Sequence, residues 1–180
     1  GDRDLINEQE KNFESFLAST TLRAGEIEIR AKAPALPPPP AHDQHSAPTW
    51  EVPSHWIQTS ASSMRLASYE VKDENGSKLD FSVTSFPGDV GGTLANVNRW
   101  LGQIGIDPVK EEGLEKYITP IILDEKKAQL VVAEGEKDAL YAAILMIEDR
   151  SWFFKITGNR ELAKVEKSNF LSFLESVCFH

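Results

Sequence analysis

The sequence predicts an α+β fold: a mostly antiparallel β-sheet of about six to seven strands sandwiched between helices. Three observations lead there. Strand-like segments follow one another across connections of only two to four residues, which permits antiparallel pairing and excludes parallel crossovers. The run 138–148 (DALYAAILMIE) is apolar almost throughout, so it needs cover on both faces. Helical spacing is confined to three blocks, near the start, in the middle and at the end of the chain.

The first block is residues 2–19, where Leu5, Ile6, Phe13, Phe16 and Leu17 fall on one side of a helix. Residues 21–32 contain the alternating run Glu26-Ile27-Glu28-Ile29-Arg30, a strand signature with one apolar face. PALPPPP, from Pro34 to Pro40, can join neither helix nor ladder and reads as a polyproline II spacer. The expected organisation is therefore a helix plus strand over 1–33, a Pro-rich linker over 34–48, and a folded domain over 49–180.

Within that domain, Trp50 to Trp56 reads as a short edge strand, because Pro53 cannot donate to a central ladder. Residues 64–72 and 78–86 form a hairpin around Asn75-Gly76. Pro87 to Gly92 breaks the strand. A helix is expected from Thr93, as N-cap, to about Ile104. Residues 116–123, 129–135, 138–148 and 151–157 read as strands, with Asp149-Arg150 turning between the last two. Gly158-Asn159 ends the sheet and starts a helix whose apolar flank is Ala163, Phe170, Phe173, Leu174 and Val177.

The two ends of the chain repeat each other. Residues 1–20 (GDRDLINEQEKNFESFLAST) and 158–177 (GNRELAKVEKSNFLSFLESV) share nine identities in twenty positions without a gap. The chain thus reads as the closing helix of one module followed by a complete second module. The four side chains Leu5, Phe13, Phe16 and Leu17 then need a surface to cover, on the complete module or on a second chain.

Composition narrows the function. A net charge of −9 argues against nucleic acid as a partner, which would need a basic face. No stretch approaches the ~20 apolar residues a membrane helix requires. The single cysteine, Cys178, cannot form an internal disulfide. His42 and His45 lie in the linker without a preorganised shell, so no metal and no cofactor is expected. Gly91-Gly92 ahead of a helix matches neither a P-loop nor a dinucleotide fingerprint; a tight strand-to-helix turn accounts for it. Glu134, Glu136 and Asp138 read as turn residues rather than a catalytic carboxylate pair, and His55 as a surface edge residue rather than a base.

The most distinctive run is GDVGGTLANVNRWLGQIG, from Gly88 to Gly105. On a helix, Leu94, Val97, Leu101 and Ile104 share a core face, which puts Asn96, Arg99 and Gln103 opposite, with Trp100 on their shoulder. Two amides and a guanidinium beside an indole can hold a carboxylate, a sugar or a peptide backbone. The alternative is a solvated helix face, with Trp100 half-buried and Arg99 paired to a nearby acid.

The Trp-x-Val-Pro-x-x-Trp opening, the antiparallel hairpins, the strand Trp152 to Gly158 and the closing Phe-x-x-Phe-Leu helix resemble the PsbP-like fold. That is the α/β/α sandwich of extrinsic oxygen-evolving-complex proteins and the related Ran-binding Mog proteins. The stretch Gly88 to Ile106 is similar to a group of uncharacterised bacterial proteins, often exported or lipid-anchored. The resemblance covers about residues 50–178 and implies a fold and an extracytoplasmic setting, but no activity. The function expected is a non-catalytic binding or scaffold module whose partner is a protein or another copy of the domain, with residues 2–19 available for self-association. The alternative is a hydrolase acting on a sugar or peptide through Asn96, Arg99 and Gln103.

Overall fold

Five reversals between consecutive strands fold the described chain back on itself. The computed structural model describes residues 47–180; the helix expected over 2–19, the strand over 21–32 and most of the Pro-rich linker lie outside them. The strands are β1 (Ile57–Gln58), β2 (Ala67–Lys72), β3 (Lys78–Pro87), β4 (Ile118–Leu123), β5 (Lys126–Glu134), β6 (Asp138–Ile147) and β7 (Arg150–Asn159). They form one seven-stranded sheet in the order β1-β2-β3-β7-β6-β5-β4. Each neighbouring pair is antiparallel. The helices are α1 (Gly92–Gln103), the single turn α2 (Glu111–Leu114) and α3 (Arg160–Glu175). Among the described residues no helix is long and apolar enough to cross a membrane.

Alternation along the central strands builds two cores, one on each face. On one face Ala139, Tyr141, Ala143 and Leu145 of β6 and Trp152, Phe154 and Ile156 of β7 meet α3. On the other, Leu140, Ala142 and Phe153 meet Val97, Trp100 and Leu101 of α1. This is the two-sided cover that the apolar run 138–148 demanded. Phe173 of α3 sits at the centre of an aromatic cluster, with ring centroids 4.7 Å from Phe81, 5.8 Å from Trp56 and 5.9 Å from Trp50. The α3 cap follows its sequence: the Asn159 side chain accepts a hydrogen bond from the Leu162 N–H at 3.0 Å.

Three expectations are corrected. The segment Trp50 to Trp56 is not a strand; β1 comes after it. The Trp56 N–H donates to the Pro53 carbonyl at 2.9 Å, and this turn drives the Trp56 indole into the core instead of continuing a ladder. Thr93 does not cap α1. Gly91, with φ of 79°, is the cap, and the Gly92 N–H, also at a left-handed φ, donates to Asp89 Oδ1 at 2.9 Å. The Thr93 hydroxyl instead donates to Gln129 Oε1 at 2.6 Å. The turn between β6 and β7 falls one residue earlier than expected, on Glu148-Asp149. Both residues are left-handed (φ 48° and 58°), as are Asp124 and Glu125 between β4 and β5 (φ 46° and 62°). Two consecutive left-handed residues match the twist of a two-residue hairpin even without glycine.

Candidate binding face on the α1 side of the sheet

The Gly-rich turn Gly88–Gly92 delivers α1 onto β6 and β7, and the four residues singled out in the sequence divide into two pairs there. Asn96 and Trp100 are buried, each 3% exposed, whereas Arg99 and Gln103 are exposed. Asn96 is therefore not part of an open polar stripe. Its Nδ2 donates to the carbonyls of Val90 at 2.7 Å and Gly92 at 2.8 Å, tying the turn to the helix. Trp100 is core, edge-on to Phe153 at 5.8 Å between centroids. The helix is rotated toward Trp100 because Phe153 below offers it a ring edge and the turn offers Asn96 two acceptors.

Arg99 and Gln103 face a groove of about 370 Å³, bordered by Arg65, Ser82, Thr84 and Lys155 from the sheet side. Arg99 Nη2 donates to Asn96 Oδ1 at 2.7 Å. Lys155 Nζ donates to Gln103 Oε1 at 3.1 Å. Both cations are thus held by neutral amides, and among the described residues the acid partner expected for Arg99 is absent from its hydrogen bonds. Arg65 differs: it forms a bidentate pair with Asp80 at 2.8 and 2.9 Å. Burial pushes the Lys155 pKa below its ordinary value; the charges of Arg65 and Arg99 push the same way, and Asp80 opposes them. The groove is a local concentration of positive charge on a chain of net charge −9.

Across the N-terminal half of α1 lies a larger groove of about 850 Å³. Its walls are mainly apolar, including Ile121, Ile122, Ile144, Met146 and the same Phe153. Ile122 is 64% and Met146 49% exposed. The polar groups at its α1 end are spent internally: Asp89 on the Gly92 N–H, Thr93 on Gln129, Asn96 on the turn. The anion-binding potential of the Gly91-Gly92 helix start is likewise taken up by Asp89. Among the described residues no group of three His, Cys, Asp or Glu side chains gathers as a metal site.

With this geometry in view, two solved structures are similar to the chain. One is the solution structure of cyanobacterial PsbP (CyanoP) from Synechocystis sp. PCC 6803, 12% identical over 74% of this chain and 86% of that one, with a TM-score of 0.47. The other is the crystal structure of LpqN, involved in cell envelope biogenesis of Mycobacterium tuberculosis, 13% identical over 76% of this chain and 87% of that one, with a TM-score of 0.43. No protein-family model and no curated protein matches the chain.

One polar cluster escaped the sequence reading. On the α3 side, the Glu166 carboxylate is 6% exposed and accepts from Trp56 Nε1 at 3.0 Å and Asn169 Nδ2 at 2.9 Å. His55 Nε2 lies 3.0 Å from both of its oxygens, so His55 is bound to an acid rather than loose on an edge. Burial pushes the Glu166 carboxyl up, but the bonds from Trp56, Asn169 and His55 outweigh it and hold the carboxyl below its usual range. The available signal was the i, i+3 pair Glu166/Asn169 on the apolar flank of the last helix. The cluster anchors the loop before β1 to α3.

Proposed function

We propose that the chain is a non-catalytic binding module of an extracytoplasmic bacterial protein, and that its α1 face takes an acidic segment of a protein partner. The observation that carries this is that, among the described residues, the hydrogen bonds of Arg99 and Lys155 go to amide oxygens, side by side in one groove. Two cations without a carboxylate in their hydrogen bonds among the described residues favour an incoming carboxylate, which would oppose the lowering of the Lys155 pKa that comes first from burial and then from the Arg65 and Arg99 charges. A protein suits the face better than a small ion. Exposed Ile122 and Met146 lie just across α1, and exposed apolar side chains beside a polar rim are what a macromolecular interface covers. The extracytoplasmic setting rests on the similarity of Gly88–Ile106 to exported bacterial proteins. A hydrolytic role for Asn96, Arg99 and Gln103 finds no support in the geometry, because Asn96 is buried and its amide is fully engaged.

The test is chemical cross-linking in an envelope extract of the native host, with wild type and Arg99→Glu side by side. The expected result is a specific protein captured by wild type, no longer captured when salt is added before cross-linking, and lost with Arg99→Glu, while Tm stays within about 2 °C. Capture that is indifferent to Arg99→Glu, or turnover of a small substrate with no specific capture, would overturn the proposal.

A further inference from the structure

The basic groove offers more than its two cations. Ser82 of β3 stands directly across the ladder from Lys155 of β7, on the same face of the sheet. It is 4% exposed, it lines the groove, and among the described residues its hydroxyl has no hydrogen-bond partner. Buried hydroxyls are as a rule bonded, so the partner of this one is whatever fills the groove. A hydroxyl beside an ammonium suits a carboxylate. The Ser82 O–H and the Lys155 ammonium can each donate to one of its oxygens, while Arg99 on the α1 wall adds a second positive charge.

A two-residue step along the same strands changes the chemistry. There Thr84 faces Phe153, and Phe153 packs against Trp100 and Phe86 with ring centroids at 5.8 and 6.1 Å. Met64, 64% exposed, lines the same groove as these rings. The step measures about 7 Å, and an extended peptide repeats its side chains on one side at that same interval. One groove therefore joins an anion-binding end to an apolar end at the spacing of alternate residues in an extended chain.

We propose that the acidic segment taken by the α1 face is extended and carries an apolar residue two positions from its acid. The carboxylate is held by Lys155, the Ser82 hydroxyl and Arg99, and the apolar side chain lies against Phe153, Phe86 and Met64. The claim rests on the acidic-partner reading above and adds the sequence pattern that the groove selects.

The test is a titration of the full chain with four peptides, acetylated and amidated at their ends, followed by backbone amide shifts. Two carry the pattern, Gly-Glu-Gly-Leu-Gly and Gly-Leu-Gly-Glu-Gly. Two are controls: Gly-Glu-Gly-Gly-Gly lacks the apolar residue, and Gly-Glu-Leu-Gly-Gly turns it to the other side. The tighter of the patterned peptides should bind wild type at least about fivefold more tightly than either control. Met64→Ser should cut that ratio below about twofold, and Ser82→Ala should weaken the patterned peptide at least about threefold, with both variants still folded by their amide spectra. A ratio near one in wild type, a ratio unchanged by Met64→Ser, or an affinity unchanged by Ser82→Ala would overturn the proposal. If the ratio is near one but Arg99→Glu abolishes binding of all four peptides, the sequence pattern fails and the acidic-partner reading stands. If wild type binds none of them, or binds them regardless of Arg99→Glu, both fail.

Discussion

Three buried or half-buried polar residues carry opposite consequences for stability. The folded state holds Glu166 below its ordinary value of 4.5, so its contribution is present above that pH and is lost as pH falls through the lower, folded value. Tm of wild type should therefore drop on acidification below about pH 4.5, and Glu166→Gln should flatten that acid limb, as a Tm series from pH 3 to 7 would reveal. Lys155 has the reverse sign. Its folded pKa lies below 10.5, so the charged side chain costs stability at neutral pH, and the cost fades as pH rises through the folded value toward 10.5. Lys155→Met should accordingly hold or raise Tm at pH 7, by up to about 4 °C, while weakening binding of acidic ligands. Asn96 is structural. Asn96→Ala removes the side-chain donor to the Val90 and Gly92 carbonyls and should cost about 1–3 kcal/mol in urea denaturation.

At the level of elements, legibility followed the strength of the periodic signal. α3 was plain from its apolar spacing after Gly158-Asn159, and Phe173→Ala should cost about 3–5 kcal/mol because the ring touches both strand and loop aromatics. The central strands β6 and β7 were plain because both of their faces are apolar. α1 was located correctly but rotated wrongly. A helical wheel ranks residues by hydropathy, so it put Asn96 outside; the carbonyls of the Gly-rich turn, invisible in that ranking, pulled it inside. Trp100 went with it. The turns at Asp124-Glu125 and Glu148-Asp149 carried no glycine to announce left-handed backbone. The short β1 was displaced because Trp56 satisfies the core better than a ladder satisfies Trp50 to Trp56. The outward position of Arg99 and Gln103 was legible from the helix alone. Lys155 was not: it faces them from β7, and only the pairing of Ser82 with Lys155 and of Thr84 with Phe153 sets which β7 residues share that groove.

For the whole molecule, one sheet covered on both sides leaves two very different exteriors. The α3 side is closed by aromatic packing and a bonded carboxylate. The α1 side is covered by the twelve residues of α1 and by Ile106, Val109, Leu114 and Tyr117 after it, and is flanked by an apolar groove and a basic one. On a chain of net charge −9, that basic groove stands out as the place where long-range repulsion of an acidic partner gives way to local attraction. Association there should be salt-sensitive, falling as ionic strength rises from about 0.01 to 0.15 M, where screening shortens from about 30 to 8 Å. The most direct measurement is fluorescence anisotropy of a labelled oligoglutamate peptide titrated with wild type, Arg99→Glu and Lys155→Met at low salt. The account predicts saturable binding to wild type that weakens at least about tenfold in each variant, with all three chains still folded. Binding of equal strength in all three, or none to wild type, would contradict it.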